Sequence, residues 1–215
     1  IPAFTQGSGP PEANVQCHWV WKHVRGAVTT RVKVGLVRHF RVKHDFPAKF
    51  LVTPDEVAEW FLGYDAADIE YGKVDLSGGN WKRCFCSDLP RAIKTAKAIF
   101  QGEIIVLEDL REIEPYPFRG KRIKLPFLVW AVLVRLVWYL KSHPNVETKR
   151  AVRARTKRVI DRVLQSNADT LIVSHAALMP FLRAELKRRG FRGPWFGKAA
   201  NGTLYLFERP CSVGN

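Results

Sequence analysis

Two stretches decide the fold: VGLVRHF at residues 34–40 and LIVSHAA at residues 171–177. Each starts as an aliphatic, β-branched run typical of a buried strand, and the runs end at Arg38-His39 and at Ser174-His175. Because sites in open α/β sheets form outside the carboxyl ends of the strands, we expect His39 and His175 to reach the same sheet edge. Taken singly, a histidine in such a position is more often structural than functional.

Strands alternate with helices along the rest of the chain. The sequence predicts strands over Arg31–Val37, Arg83–Cys86, Ile104–Leu107, Thr170–Val173 and Thr203–Phe207, and helices over Thr53–Leu62, Pro90–Phe100, Val146–Gln165 and Leu178–Arg189. This order predicts a three-layer α/β/α sandwich around a mostly parallel sheet. Residues 1–215 are expected to form one domain, with an N-terminal extension over 1–30 and an apolar helical insertion over 120–146.

Two helix starts carry capping signals. Thr53, followed by Pro54 and by Glu56 three residues on, predicts a capping box. The pair at residues 87–88, Ser-Asp, is the expected cap of the helix that begins near Pro90.

The positive charge is concentrated in one part of the chain. The 215 residues carry a formal net charge of +15, and residues 121–200 hold 18 Lys/Arg against 4 Asp/Glu. A local excess of this kind indicates one basic surface rather than a property of the whole protein. With 47% hydrophobic residues, the chain has enough apolar side chains for a sizeable core, which excludes wholesale disorder.

A third stretch, CSDLPRAIKTA at residues 86–96, also follows a predicted strand. It places Arg91 in the first turn of a helix, where backbone N–H groups attract anions. The guanidinium adds bidentate recognition of oxygens. Alone, Arg91 would more often be a solvated helix residue, so its interest depends on the two histidines.

Together these stretches resemble the histidine phosphatase superfamily, also called the phosphoglycerate mutase-like family. The matching motifs are Leu36-Val37-Arg38-His39, Ser87-Asp88-Leu89-Pro90-Arg91-Ala92 with Thr95-Ala96, Leu110-Arg111-Glu112, Val173-Ser174-His175 and Asn201-Gly202-Thr203. They keep the family's order over residues 34–207, which is most of the chain. The resemblance therefore implies a phosphoglycerate mutase-like fold and a phosphatase-type activity.

The resemblance also implies catalytic roles. The family forms a phosphohistidine on the residue that corresponds to His39, while Arg38 and Arg91 clamp the phosphoryl oxygens and His175 donates a further hydrogen bond. A neutral imidazole is a competent nucleophile toward phosphorus. Phosphoryl transfer asks a protein mainly for positioning and charge stabilisation, which this set of side chains supplies.

The family's general acid and base is a glutamate in a motif of the LRE type, which corresponds to Glu112. Glu114 remains a second candidate because the register of this irregular stretch is open. Arg41 and Ala176 are candidate substrate-binding residues, although Arg41 is as well explained by simple exposure to solvent.

The chain departs from the family pattern after the first histidine. Phe40 replaces the usual glycine, and Phe40-Arg41-Val42 replaces the Gly-Glu-Ser typical of mutases. This difference favours a phosphomonoester phosphatase acting on a small phosphate ester. A mutase, a phosphohistidine-protein phosphatase and a catalytically idle module that binds anions or nucleic acid remain alternatives, nucleic acid being the least favoured partner because no binding motif is visible.

The segment from Lys124 to Lys141 is apolar nearly all round, with Arg135 its only charge between residues 125 and 140. A buried core or lid helix is the preferred interpretation. A homodimer contact and a membrane-surface contact through the basic and apolar region 121–162 are the alternatives. An apolar insertion beside the site also indicates a substrate with an apolar portion. The basic helix that follows is expected to expose its charged residues, Arg155 among them.

No metal or other cofactor is expected, because no Cys/His array has zinc spacing. The four cysteines are expected to be reduced structural thiols, and the first fifteen residues lack the basic and apolar segments of a signal peptide. These features predict a cytoplasmic protein.

Overall fold

The computed structural model describes residues 31–114, 120, 122–140 and 147–210. This part of the chain contains seven strands: β1 Arg31–Arg38, β2 Leu51–Val52, β3 Arg83–Ser87, β4 Glu103–Leu107, β5 Leu125–Pro126, β6 Thr170–Ser174 and β7 Leu204–Pro210. It also contains five α-helices: α1 Pro54–Ala66, α2 Pro90–Ile99, α3 Phe127–Leu140, α4 Lys149–Val163 and α5 Met179–Arg188. A 3₁₀ turn spans Glu108–Leu110.

Five of the strands form the central sheet, in the order β4-β3-β6-β1-β7. β1 pairs in parallel with β6, and β3 pairs in parallel with both β4 and β6, whereas β7 runs antiparallel to β1. The predicted mostly parallel sheet is therefore confirmed. In the β1–β6 register, Arg38 lies opposite Ser174, so the two strands end side by side.

Helices α4 and α5 cover one face of the sheet. Leu36, Phe85 and Ile172 point to this face and share a buried cluster with Val159 of α4 and Leu182 of α5. Alternate residues of a strand point to opposite faces, which is why the continuous apolar runs of β1 and β6 predict a sheet buried on both sides.

Helix α2 covers the other face. Val37, Cys86 and Val173 pack there against Ala92 and Ala96, whose small side chains allow the helix to approach the sheet. The thiol of Cys86 and that of its neighbour Cys84 are both buried and free. The helices on the two faces complete the predicted three-layer sandwich.

The two predicted helix caps have different outcomes. Thr53 and Glu56 form the expected capping box at the start of α1. At α2, the expected cap by Ser87 and Asp88 is wrong, since Leu89 is the N-cap residue and makes no side-chain cap bond. Asp88 is instead engaged by the guanidinium of Arg111, with its two oxygens 2.8 and 2.7 Å from Nε.

Helix α3 is not buried all round, so the expectation of a buried core helix is wrong, whereas the lid helix stays a prediction. Trp130 and Val134 pack against the protein, whereas Leu128, Val132 and Leu136 are exposed. Among the described residues, no helix combines the length and the hydropathy that crossing a bilayer requires.

Helix α4 has the predicted apolar side, on which Val152, Val159, Ile160 and Val163 are buried. The expectation that Arg155 is exposed is wrong, because only 8% of this residue is accessible.

Removing buried volume from the sheet should lower the stability of the fold. Ile172 is fully buried between the sheet and α4. We expect Ile172→Ala to reduce the free energy of unfolding by about 2–5 kcal/mol in a denaturant titration, because the cavity it leaves would be only partly filled. Val106→Ala, at a strand position that is 47% exposed, is the matched control and should change the value by less than about 0.5 kcal/mol. Equal losses in both variants would contradict this assignment of the core.

Candidate active site

His39 is held by its own backbone at the end of β1. Its N–H donates to the Ser174 carbonyl at 3.0 Å, and its carbonyl accepts from Asn201 Nδ2 at 2.8 Å. In the ring, Nδ1 lies 2.6 Å from the Phe40 carbonyl oxygen. A carbonyl oxygen can only accept, so Nδ1 carries the proton and Nε2 keeps a free lone pair. The nitrogen of this imidazole with an available lone pair is therefore Nε2.

His175 follows β6 and faces His39. The two ring centroids are 5.1 Å apart and the rings are tilted by 55°. His175 is fully buried, and neither of its ring nitrogens has a hydrogen-bond partner within the described part of the chain. Buried polar groups in folded proteins are nearly always bonded, so such an imidazole indicates a place where a ligand completes the bonding.

Two guanidiniums lie beside the imidazoles. Arg38 donates from Nη1 to the Ala199 carbonyl at 2.8 Å. Arg91, in the first turn of α2, is 95% buried; it pairs with Asp65 and lies over the ring of Tyr64, with its Cζ 5.2 Å from the ring centroid. The Nε atoms of both arginines are buried without a partner among the described residues. Each guanidinium thus keeps a donor for an oxygen anion.

The surroundings keep both imidazoles neutral. Burial lowers the pKa of His39 to about 3, against the opposing bond from the Phe40 carbonyl, and the charges of Arg91 and Arg38 lower it further. Burial also holds the pKa of His175 well below its usual value, with His39 and the same two arginines acting in that direction. Desolvation and neighbouring positive charge both disfavour an imidazolium.

Glu112 lies in the loop after the 3₁₀ turn. Its carboxylate accepts the Ala177 N–H at 3.1 and 3.2 Å and the Ile113 N–H at 2.9 Å. Burial lowers the pKa of Arg38, and the negative charge of Glu112 opposes that shift. Glu112 therefore lies close enough to Arg38 to stabilise its positive charge. Glu114, the other candidate, is exposed. The structure thus places Glu112 beside the backbone that follows His175 and close to Arg38.

The two candidate substrate-binding residues lie in different settings. Arg41 is exposed, and its guanidinium approaches Glu70 at 3.8 Å. The Glu70 side chain is itself half exposed, so this contact lies at the surface. Ala176 is half-buried and lies between His175 and Ala177, directly beside the N–H group that binds the Glu112 carboxylate.

Phe40 occupies the position where the family usually has glycine, and its side chain is buried. It packs in a buried cluster with Val42 and Ile69. Gly202 makes room for the ring: it has a φ of +61°, and a Cβ there would lie 2.8 Å from Phe40. Phe40 N–H donates to Thr95 Oγ1 at 2.9 Å, which anchors the backbone next to His39.

Arg155 is the most informative residue that the sequence interpretation missed. Its Nη1 donates to the carbonyls of Asp109 and Arg111, both at 2.7 Å, while Nε binds Glu147. It therefore anchors the backbone directly before Glu112. A signal existed, since Arg155 stands three residues after Val152 and so falls on the apolar side of α4.

Tyr64 and Asp65, the neighbours of Arg91, were also missed. They lie at the end of α1 and reach Arg91 across 26 and more residues of chain. Burial raises the pKa of the Tyr64 hydroxyl, and the charges of Arg91 and Arg38 act against that shift. No local sequence pattern marks either residue, because the contact depends on how α1 packs against α2.

A comparison with protein families matches residues 73–210 to the histidine phosphatase superfamily (branch 1). The match covers more than half of the chain, so the protein belongs to this superfamily, and the resemblance in the sequence is confirmed. A search of curated proteins found no match.

Solved structures share the fold at low sequence identity. A phosphoglycerate mutase from Bacillus anthracis str. Sterne is 18% identical, with a TM-score of 0.51 over 85% of this chain and 89% of that chain. A protein called mycobacterial hydrolase 2 is 17% identical, with a TM-score of 0.52 over 86% and 84%. An α-ribazole phosphatase from Shigella flexneri is 18% identical, with a TM-score of 0.48 over 83% and 94%. The first two show a common fold.

The buried imidazoles should make stability depend on pH. In the unfolded chain a histidine takes up its proton near its ordinary pKa of 6.5, whereas folded His39 does so only at about 3. The unfolded state therefore binds protons first as the pH falls, and stability that is complete above the ordinary pKa is lost below it. We expect the free energy of unfolding to fall by about 1 kcal/mol for each imidazole between about pH 7 and about pH 5.5.

Denaturant titrations across that pH range would measure this slope. In the double variant His39→Gln/His175→Gln, the slope should decrease because the two shifted groups are gone. An unchanged slope would show that neither imidazole is held neutral by the fold.

Proposed function

We propose that the protein is a phosphomonoester phosphatase that works through a phosphohistidine on Nε2 of His39. One observation carries this proposal. Two neutral imidazoles face each other at 5.1 Å next to two arginines, and His175, Arg38 and Arg91 all keep buried nitrogen atoms there that have no partner among the described residues. A phosphoryl group has three oxygens that can accept such donors, and its transfer needs positioning and positive charge more than covalent help from the protein.

In the first step, the lone pair of His39 Nε2 attacks phosphorus and the bond from phosphorus to the ester oxygen breaks. The Phe40 carbonyl supports this attack, since it holds the Nδ1 proton at 2.6 Å as positive charge develops on the ring. Arg38 and Arg91 donate to the phosphoryl oxygens throughout. Glu112, as a carboxylic acid, gives its proton to the departing alkoxide.

In the second step, water attacks phosphorus and the bond from phosphorus to Nε2 breaks. Glu112, now a carboxylate, takes the proton of the attacking water, which restores the starting state of both residues. The N–H groups of Ala177 and Ile113 hold the carboxylate in place for both proton transfers. The net reaction is phosphate ester plus water giving alcohol plus inorganic phosphate.

Phe40 favours hydrolysis over transfer to a second substrate. Its ring is 97% buried against Val42 and Ile69, so this stretch presents no Gly-Glu-Ser segment of the mutase type to the site. We therefore propose a small phosphate ester as the substrate and water as the acceptor. That the substrate carries an apolar portion stays a prediction.

Replacing the nucleophile should abolish the covalent intermediate. We expect His39→Ala to lose activity on p-nitrophenyl phosphate and to take up no label when wild-type protein, quenched during turnover with a ³²P-labelled ester, does. The label on the wild type should be stable in alkali and labile in acid, as a phosphoramidate is. His44→Ala is the matched control, because His44 lies against Trp60 instead. Full activity or an unchanged label in His39→Ala would overturn the assignment.

Replacing the acid and base should separate the two steps. An aryl phosphate has a leaving group that needs no proton, whereas an alkyl phosphate needs one. We expect Glu112→Gln to lose about 10²–10⁴-fold in rate on an alkyl phosphate, and to accumulate the phosphoenzyme from p-nitrophenyl phosphate because water activation fails. Glu114→Gln is the control and should behave as wild type. The reverse pattern would assign the role to Glu114.

A further inference from the structure

Exposed apolar side chains are concentrated around α3. Of the thirteen large exposed hydrophobic residues in the described ranges, nine lie in residues 46–51 and 123–140. Four of them, spaced four residues apart along α3, form what we call the apolar stripe: Leu128, Val132, Leu136 and Leu140, which are 68, 65, 47 and 62% exposed. Contiguous apolar surface of this extent in a globular protein marks an interaction site.

The other exposed residues adjoin the start of the helix. Leu51 pairs with Pro126 in the small β2–β5 sheet, directly before α3. Phe46, which is 70% exposed, has its ring centroid 5.6 Å from that of Phe127, the first residue of α3. The apolar stripe therefore continues into a rim of exposed side chains at its N-terminal end.

The stripe is the outer side of a helix whose inner side is firmly packed. Val134 is buried, and Trp130 is 4% exposed with its indole N–H donating to the Val52 carbonyl at 2.8 Å. Helix α3 is thus fixed in orientation, and it cannot turn its exposed leucines inward without breaking these contacts. Its outer side is a permanent feature of the surface.

Every charged residue within the segment 122–140 is positive. Residues 122–140 contain Arg122, Lys124 and Arg135 and no acidic residue. All three cations are exposed, and none of them forms an ion pair with any residue in the described ranges. An aliphatic face with unpaired Lys and Arg beside it is complementary to an anionic lipid surface, where acyl chains meet the aliphatic groups and headgroups meet the cations.

The same charges disfavour other occupants. In a two-fold dimer each patch meets its own copy, so Arg122, Lys124 and Arg135 would face like charges with no acid in the segment to offset them. Nucleic-acid interfaces are polar and strongly basic, and a row of leucine and valine side chains offers little to a phosphodiester backbone.

We propose that the apolar stripe and its three cations dock the protein on an anionic lipid bilayer, with α3 lying along the membrane surface. The exposed leucines would enter the boundary between headgroups and acyl chains, and the cations would remain at the headgroups. This proposal is independent of the proposed enzymatic activity, since it uses none of the site residues.

Cosedimentation of the whole protein with vesicles tests the proposal. We expect binding to phosphatidylcholine vesicles that contain about 30% phosphatidylglycerol, at least about tenfold weaker binding to pure phosphatidylcholine, and weakening as salt is raised. Leu136→Asp should reduce binding more than about tenfold because it places a charge in the acyl boundary. Val106→Asp, at a site with the same 47% exposure on β4, is the control and should bind as wild type.

A second pair of variants tests the cations. The triple variant Arg122→Gln/Lys124→Gln/Arg135→Gln should lose about a hundredfold in binding to the anionic vesicles. The control removes the same charge from exposed positions of α4, through Arg150→Gln/Arg153→Gln/Arg162→Gln. We expect this control to keep most of the binding.

Three results would overturn the proposal. An equal loss of vesicle binding in the two triple variants would show that binding depends on the net charge of the protein and not on the cations beside the stripe. If the wild-type protein does not bind the vesicles and is a dimer, and if Leu136→Asp is a monomer, the stripe is the contact with a second copy of the chain. If the wild-type protein is a monomer that does not bind the vesicles, another part of the chain or a protein partner covers the stripe. The folding of all variants can be checked by circular dichroism and by their thermal unfolding, which do not depend on the proposed activity.

Discussion

The site depends on the parallel pairing of β1 with β6. Because Arg38 lies opposite Ser174, the last backbone hydrogen bond between the two strands runs from the N–H of His39 to the Ser174 carbonyl. In each strand, the next residue after this pair is a histidine. The separation of the imidazoles is therefore set by the spacing between neighbouring strands, roughly 4.8 Å, rather than by flexible loops. A slip of one residue in this register would turn one ring to the opposite face of the sheet.

Burial determines the electrostatic properties of this cluster and also lowers the stability of the fold. His39, His175 and Arg91 are all at least 95% buried, and several of their nitrogen atoms lack partners within the described part of the chain. Each such group lowers stability, typically by about 1–3 kcal/mol, so the surrounding sheet and helices must offset that cost. In the proposed reaction, the same dry surroundings strengthen every electrostatic contact with the phosphoryl group.

Much of the fold and of the histidine cluster could be predicted from local pattern. Continuous apolar runs that stop at His39 and His175 already indicate a parallel sheet with both residues at its rim, because strand period and topology leave few alternatives. Contacts between distant segments could not be predicted. Nothing near Asp65 indicates that it meets Arg91, since that contact follows from how α1 packs on α2.

Helices α3 and α2 also show that contacts between distant segments cannot be predicted from local pattern. Local pattern predicts that α3 is apolar on all sides, but not which side the rest of the protein covers. Among the α3 side chains that the structure describes, Trp130 and Val134 are the buried ones. The cap of α2 was misjudged for a related reason. Asp88 is a good cap by composition, yet it bonds to Arg111 from a different segment, and a tertiary ion pair outcompetes a local preference.

The ion pair between Arg91 and Asp65 also bears on the end of the proposed reaction cycle. Two arginines with no acid nearby would hold a phosphate dianion tightly, and inorganic phosphate carries the same charge as the ester it came from. Asp65 cancels part of that positive charge, so in the proposed cycle the clamp orients the dianion without retaining it as product. In such a site, the carboxylate behind the guanidinium tunes product release and limits inhibition by free phosphate.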